Sequence, residues 1–420
     1  MRVLFISNYF PPEVNAPATR LYEHARLWVR QGQVEVLTAV PNYPEGVIYP
    51  GYENRFTRED VERIKVNRVP VYIATNKDLV KRSLSYFSFM ASAIWHSRKS
   101  KDKPDVVVAS SPQFLSAIAG YIISKLKRRP FVLEIRDLWP ESIVAVGAMR
   151  RNWVIKFLEK VEHFLYRKAY HIVVVTDSFK RIIAEKGIDA RKITVLKNGV
   201  DQDVYGQILD PELLDEIRRR YSLADKFVAS YIGTIGMAHR ADILVEAAQR
   251  CTDPDILFVI MGAGAEFDSI AARQAELKLT NFKLIEKQPK HLVPYFLELS
   301  HVCVVHLRDA PLFETVIPSK IFEAMIARKP IILGIRGESC EIVERAGAGI
   351  PITPEDADAL LEAIERLRHD KALYESMADN GYNYVRHNHD RKVLAQQYWV
   401  LLEKVAGEAA AVIRSPSPAK

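Results

Sequence analysis

Between Glu314 and Pro330 the chain reads Glu314-Thr-Val-Ile-Pro-Ser-Lys-Ile-Phe-Glu323-Ala-Met-Ile-Ala-Arg-Lys-Pro330. Two carboxylates bracket one lysine at a turn that runs into a short helix. A carboxylate accepts hydrogen bonds from sugar hydroxyls, and an ammonium between two such groups neutralises phosphate oxygens. Pro318 and Ser319 are typical of a helix start, so the backbone amides of Thr315, Val316, Ile317 and Ser319 are expected to face whatever lies in front of the turn. A diphosphate joined to polyols meets both demands. Taken alone, the segment reads equally well as a solvated helix face with Glu323 and Lys320 pointing to water.

Upstream lies Gly233-Thr234-Ile-Gly236-Met-Ala-His239-Arg240, directly after the apolar run from Phe227 to Ile232. Glycines let a backbone approach phosphate closely, and Arg240 or His239 then supplies charge. Met261-Gly262-Ala-Gly264 closes the next apolar run in the same way. Strand-to-helix turns need glycine in any case, so the pairs gain weight only together with Lys320, with which they make a phosphate site.

A third cluster is Ile135-Arg136-Asp137-Leu-Trp139-Pro140-Glu141. Arg136, Asp137 and Glu141 at the end of a strand suit a hydroxyl-bearing substrate, although an Asp137 helix cap partnered by Arg136 accounts for them too. Near the start, Tyr9-Phe-Pro-Pro-Glu13-Val-Asn15-Ala16-Pro-Ala-Thr19-Arg20 and Pro41-Asn42-Tyr43-Pro44-Glu45-Gly46 are loops rich in turn formers and hydrogen-bonding groups.

The elements that hold these loops show a single pattern. Apolar runs without polar alternation (Val3 to Ser7, Val34 to Ala39, Asp105 to Ser110, Pro130 to Ile135, His171 to Thr176) are spaced by amphipathic stretches, which predicts parallel strands buried on both faces. Helices are expected from about Ala18 to Gln31, Ser85 to Ser97, Gln113 to Lys127 and Asn152 to Ala169. After Lys197-Asn198-Gly199-Val200-Asp201 the alternation restarts, from Phe227 to Ile352. The fold class is therefore α/β, with two Rossmann-like, doubly wound parallel-sheet domains. The first spans 1–200 and the second 201–385, a helix over 390–406 returns to the first, and 407–420 is a disordered tail. Ligands of open parallel sheets sit beyond the carboxyl ends of the strands, so the site is expected in the cleft between the domains.

Length and composition fit a soluble globular protein of more than one core: 420 residues, 48% apolar and 26% charged. No apolar run approaches a membrane span of about 18–20 residues. Cys251, Cys303 and Cys340 lie far apart in apolar contexts, as reduced core thiols of a cytoplasmic protein do. The acidic pairs Asp201/Asp203, Asp253/Asp255 and Asp356/Asp358 fall in turns or helix starts and His387-Asn-His389-Asp390 in a loop, so no metal site and no cofactor is expected. Residues 1–200 hold 33 Lys and Arg against 19 Asp and Glu, whereas the remainder holds 26 against 33. A basic half points to an anionic partner, either a pyrophosphate or a membrane surface. Leu79 to Lys103 sharpens the second option, since it carries six Lys and Arg, one acid, and Tyr, Phe and Trp, as an interfacial helix with basic flanks does. A core helix with a solvated basic end would read the same way.

The order of these pieces, a Pro-Pro loop, Arg-Asp-Leu-Trp-Pro, Lys-Asn-Gly-Val-Asp, Gly-Thr-Ile-Gly, Gly-Ala-Gly and paired glutamates before Ala-Met, resembles the GT-B-fold retaining glycosyltransferases of family 4 (group 1) over nearly the whole chain to about residue 405. It is most similar to the subset that builds bacterial O-antigen, capsule or exopolysaccharide units on a lipid carrier. The resemblance implies that Glu323 holds the nucleotide ribose and Glu314 contacts the donor sugar, with Lys320 and Arg240 on the diphosphate. The glutamates stand nine positions apart where eight is usual. Thr234 replaces an arginine, Asn15-Ala16 replaces a Gly-Gly pair that lies on the donor phosphates, and Arg136 stands where many relatives carry a histidine near the acceptor.

The same resemblance implies a metal-independent enzyme; the cysteines, the basic half and the segment from Leu79 to Lys103 point to a cytoplasmic protein, peripheral on the cytoplasmic face of the inner membrane. It would move a hexosyl or N-acetylaminosugar residue, with retention, from a nucleoside diphosphate donor, UDP rather than GDP, to a lipid-linked or growing saccharide. An epimerase of the same fold would use the same donor site without an acceptor. A nucleic-acid-binding role finds no motif, and the charges of the basic half interleave with acids along amphipathic helices.

Overall fold

The computed structural model describes residues 1–74, 79–100, 102–111, 114–145, 147 and 150–414. The chain divides into two compact units, Met1–Lys197 with the segment from Arg391 onward, and Asn198–Asp390. The division falls three residues before the expected one, so the Asn198-Gly199 turn belongs to the second unit.

The first unit is built on β1 (Arg2–Ile6), β2 (Gln33–Ala39), β3 (Thr57–Val61), β4 (Ile64–Val69), β5 (Val106–Ser111), β6 (Phe131–Ile135), β7 (His171–Val174) and β8 (Ile193–Val195), in the order β3-β4-β2-β1-β5-β6-β7-β8. All neighbours pair in parallel except β3 with β4. The parallel strands are buried along nearly their whole length, as their uninterrupted Val and Ile runs require. The helices Phe114–Lys127 and Trp153–Lys168 cover one face, the second capped by Asn152, whose side chain accepts from Val154 and Ile155. Gln113, the expected start of the former, lies outside the described residues.

On the other face, Ala16–Trp28 packs against Arg391–Arg414. Trp28 is fully buried there, edge-on to Tyr398 at 5.1 Å, and its indole N–H donates to Ala395 O at 2.9 Å. That final helix continues through residues 407–414, in place of the expected disorder. Glu408, Ala409, Ala410 and Ala411 are good helix formers, and Tyr170 donates to Glu408 at 3.3 Å. Residues 415–420 lie outside the described residues.

The second unit carries β9 (Phe227–Thr234), β10 (Ile256–Ala263), β11 (Phe282–Glu286), β12 (Val302–His306), β13 (Ile331–Gly334) and β14 (Gly349–Pro351), all parallel, in the order β11-β10-β9-β12-β13-β14. The helices Ile243–Arg250 and Ala357–His369 close one apolar cluster around Tyr231, Leu244, Phe258 and Leu360. A second cluster, with Ile217, Val259, Met261 and Phe296, fills the other side of the sheet. Both units are thus doubly wound, as the alternation predicts.

Candidate functional site

In the second unit, β9 and β10 run in register so that Gly233 pairs with Gly262 at their carboxyl ends. At neither position does a side chain fit without moving a neighbour. A Cβ on Gly262 would lie 1.8 Å from the Gly233 carbonyl oxygen. Gly233 has φ +141°, and a Cβ there would lie 2.3 Å from Lys320 Cε. The glycines therefore hold the strand ends flat, and Lys320 reaches in above Gly233 from the helix Lys320–Ile326.

The Lys320 ammonium donates to the Tyr231 hydroxyl and sits 3.7 Å from the centre of its ring. Burial pushes its pKa down to about 7, with Glu323 pulling the other way. Tyr231 is itself fully buried and donates to Thr234 O at 2.6 Å, which ties the strand end to the same ring. His239 meets Tyr231 edge-on at 6.5 Å. Burial, and then the Lys320 charge, hold its imidazole near pKa 3, so it is neutral at physiological pH. Gly236 closes the turn by accepting from the His239 amide at 2.8 Å. The structure thus brings together Lys320, Gly233, Thr234, Gly262, Gly236 and His239.

Arg240 points elsewhere. It adopts φ +45° and its guanidinium lies against Asp242 at 3.0 Å, Glu355 at 2.6 Å and Glu246 at 3.5 Å. Burial alone would lower its pKa, but these carboxylates outweigh it and raise the value. Behind the loop, His306 accepts the Glu355 amide on Nε2 at 2.8 Å, which leaves Nδ1 to donate to His239 O at 3.1 Å. Gly334 admits the ring, since a Cβ there would lie 2.2 Å from His306 Cδ2. Tyr231, His306 and Glu355 are residues that sequence reasoning missed. Their contacts span 89, 67 and 49 positions, and no local signal marks them.

The glutamate segment is arranged in two pieces. Glu314 is exposed on the turn Pro311–Thr315, and Thr315 donates to Leu312 O at 2.6 Å. Val316 O accepts from Ser339 at 2.6 Å, and Ile317 is buried. Gly337, with φ +71°, underlies this turn, where a Cβ would lie 2.2 Å from Glu314 O. Glu323 is half-buried on the next helix, its carboxylate 3.5 Å from the Ser319 hydroxyl.

In the first unit, Asn15 caps the helix Ala16–Trp28 by accepting the Ala18 amide at 3.0 Å, and Ala16 is its first residue. Asp137 is held by the Ser142 hydroxyl and the Leu138 amide, and burial pushes its carboxyl up to about pKa 6. Burial lowers Arg136 to about 10, with Arg20 and Arg391 adding repulsion against the attraction of Glu134 and Asp137. Arg20 pairs with Glu134 at 3.1 Å and Arg391 with Glu23 at 3.1 Å, all four nearly inaccessible. Removing one member of such a pair leaves a buried charge uncompensated. Lys186 bridges Glu141 at 2.6 Å and Glu162 at 2.9 Å.

Two family signatures succeed one another along this framework. Residues 15–199 match the glycosyl transferase 4-like domain and residues 215–384 match the glycosyl transferases group 1. The chain belongs to the group 1 glycosyltransferases. Among individual relatives, the glycosyl transferase WcaI of Escherichia coli K12, assigned to colanic acid biosynthesis, is 24% identical over 87% of this chain and 92% of its own. The capsular polysaccharide biosynthesis glycosyltransferase CapM of Staphylococcus aureus is 23% identical over 78% and 83%. Anabaena HepE, solved with UDP-glucose, superimposes with a TM-score of 0.70 at 18% identity, over 96% of this chain and 100% of that one, which establishes the GT-B fold. Among the described residues no helix is long and apolar enough to cross a membrane.

Proposed function

We propose that this group 1 glycosyltransferase moves a hexosyl or N-acetylaminosugar residue from a UDP-sugar to a hydroxyl of a lipid-linked or growing saccharide, in the synthesis of a cell-surface polysaccharide. The observation that carries the reading is the Lys320 ammonium held against Gly233 at the carboxyl ends of β9 and β10, where strand-end glycines let the lysine and the backbone come together. Relatives named for colanic acid and capsule biosynthesis support the product class, and the UDP-glucose complex of HepE supports the nucleotide.

In this reading the glycosidic bond to the β-phosphate breaks as the acceptor hydroxyl approaches on the same face, so configuration is retained. Negative charge grows on the departing diphosphate. Lys320 and backbone amides stabilise it, an interaction stronger in the transition state than in the ground state. Glu323 takes the ribose hydroxyls, and Glu314 faces the sugar. His239, being neutral, contributes a hydrogen bond and no charge.

No metal ion takes part in this scheme.

The test is a panel of UDP- and GDP-sugars offered with and without lipid-linked saccharide, followed by the anomeric configuration of the product. Transfer that requires the acceptor supports the reading. Turnover of the donor alone to an isomer would identify an epimerase instead.

A further inference from the structure

The helix Leu79–Lys99 turns several bulky apolar side chains outward. Its inward residues at helical spacing are Ser85, Phe89, Ala93 and Ser97, all buried, whereas Leu84, Phe87 and Trp95 are 52%, 57% and 55% exposed. A surface helix of a soluble protein points its bulky residues to the core and its serines to water. This one does so only in part, since two of its four inward positions are serines and three bulky apolar side chains face outward. Phe89 packs in the core as a soluble helix would have it, but Trp95 does not.

Its neighbours share the same face of the sheet. Right-handed crossovers leading from β4 to β5, β5 to β6 and β6 to β7 all run toward the same sheet edge, so the helices Leu79–Lys99, Phe114–Lys127 and Trp153–Lys168 lie side by side on one face. Tyr121 and Phe164 join the second and third edge-on at 5.3 Å. The third helix presents Trp153, Phe157 and Phe164, exposed by 79%, 58% and 43%, alternating along one stripe with the exposed Lys156, Lys160, Arg167 and Lys168. Half of the protein's sixteen exposed large apolar side chains, among the described residues, fall on these three helices.

Charge on this face is one-sided. The first two helices carry no acidic residue. The glutamates of the third are turned away or engaged: Glu162 is buried against Lys186 and Tyr166, and Glu159 pairs with Arg151. The exposed cations instead sit on the aromatics, Lys99 at 4.5 Å from the Trp95 ring, Lys125 at 5.5 Å from Tyr121 and Lys168 at 5.9 Å from Phe164.

We infer that this three-helix face docks on an anionic lipid bilayer, with the aromatic rings at the acyl boundary and the lysines and arginines among the phosphates. Aromatic bodies with cationic tips are the chemistry of that interface, and a cationic rim selects an anionic surface. A second copy of the chain would bring the same cations against themselves.

The face also adjoins the carboxyl ends of the first sheet, because Tyr86 on the helix Leu79–Lys99 meets the Tyr9 hydroxyl, just beyond β1, at 3.3 Å. For a lipid-linked acceptor, as in the proposed function, the lipid stays in the bilayer while its head reaches these loops. That consequence rests on the proposed function; the docking itself does not.

The full chain is mixed with phosphatidylcholine vesicles, with and without phosphatidylglycerol, in the absence of donor and acceptor, and bound protein is measured by flotation. Strong binding to the anionic vesicles, at least tenfold weaker binding to the neutral ones, and release by salt are expected. Lys156→Gln and Lys160→Gln should each weaken binding about fivefold, the equivalent of ~1 kcal/mol per basic group at such a surface. Trp153→Ser with Phe157→Ser should weaken it tenfold or more with an unchanged melting temperature, since both side chains are exposed. Absent binding, equal binding to both vesicle types, or wild-type binding by these variants overturns the inference, as does a solution dimer that Trp153→Ser dissociates. Sugar turnover is a separate assay, so failure of either reading leaves the other standing.

Discussion

The ammonium of Lys320 lies 3.7 Å from the centre of the Tyr231 ring and donates to its hydroxyl. An aromatic face and a phenol are weak substitutes for phosphate, and burial holds the amine near pKa 7. Binding a diphosphate favours the protonated form, which places the pKa of the complex above that of the free protein. UDP affinity should therefore be greatest below pH 7 and fall as pH rises through 7, by up to tenfold per unit, levelling off above the pKa of the complex. Calorimetric titration of UDP across this range checks the slope, with Lys320→Met as the flat control. The same variant should lower kcat by a factor on the order of a hundred and raise donor KM less, because the diphosphate gains charge in the transition state. A change confined to KM would leave Lys320 a binding group only.

Glu323→Ala tests the ribose contact. A hydrogen bond to a charged group contributes about 1.5–3 kcal/mol, so UDP should bind roughly ten- to a hundred-fold more weakly while the melting curve stays in place. Unchanged UDP affinity removes Glu323 from the donor site.

The two register-paired glycines should separate function from stability. A Cβ on Gly233 meets the flexible end of Lys320, whereas one on Gly262 meets the backbone of β9. Gly233→Ala should displace the ammonium and cut activity with a stability loss of about 1–2 kcal/mol, and Gly262→Ala should lower the urea midpoint more strongly. Similar midpoints for the two variants would show that the strand ends are not held as described.

These positions also mark how far the sequence could be read. The glycine turns and Lys320 were legible because backbone approach and phosphate charge demand particular residue types at particular places. Tyr231 was not, since a tyrosine inside an apolar strand looks like core until a lysine 89 positions away lands on its ring. Arg240 shows the opposite error of emphasis, being read as a phosphate ligand from its place after two glycines while its carboxylate partners Glu246 and Glu355 lie outside the motif. In the fold, the parallel strands were evident from uninterrupted apolar runs. The hairpin of β3 and β4 was hidden by its charges and by a turn at Glu62 and Arg63, both at positive φ without glycine or asparagine. Arg68 on β4 is fully buried against Glu59 and the Tyr52 ring, a partnership that no spacing announces.

Treatment with EDTA should leave transfer intact, because in the proposed scheme Lys320 and backbone amides supply the charge that a divalent ion would otherwise bring to the leaving group. Abolition by EDTA, with recovery on adding manganese, would replace this scheme with a metal-assisted one.

The last prediction concerns Glu13, which is nearly inaccessible and whose carboxylate accepts from the amides of Asn42 at 3.0 Å and Tyr43 at 2.9 Å, tying the first loop to the second. Burial pushes its pKa up to about 7, against the pull of those amides and of Arg68. Between 4.5 and 7 the folded chain holds a proton that the unfolded chain has released, so stability is fully present below 4.5 and is lost as pH rises through 7, with a slope approaching about 1.4 kcal/mol per unit. Glu13→Gln keeps an oxygen for the two amides and removes the titration. Urea unfolding at about pH 5 and about pH 8 should therefore show the wild type losing stability relative to the glutamine variant as pH rises. Parallel behaviour of the two proteins would mean that Glu13 ionises in the folded state as it does in water, and that the amides of Asn42 and Tyr43 outweigh its burial.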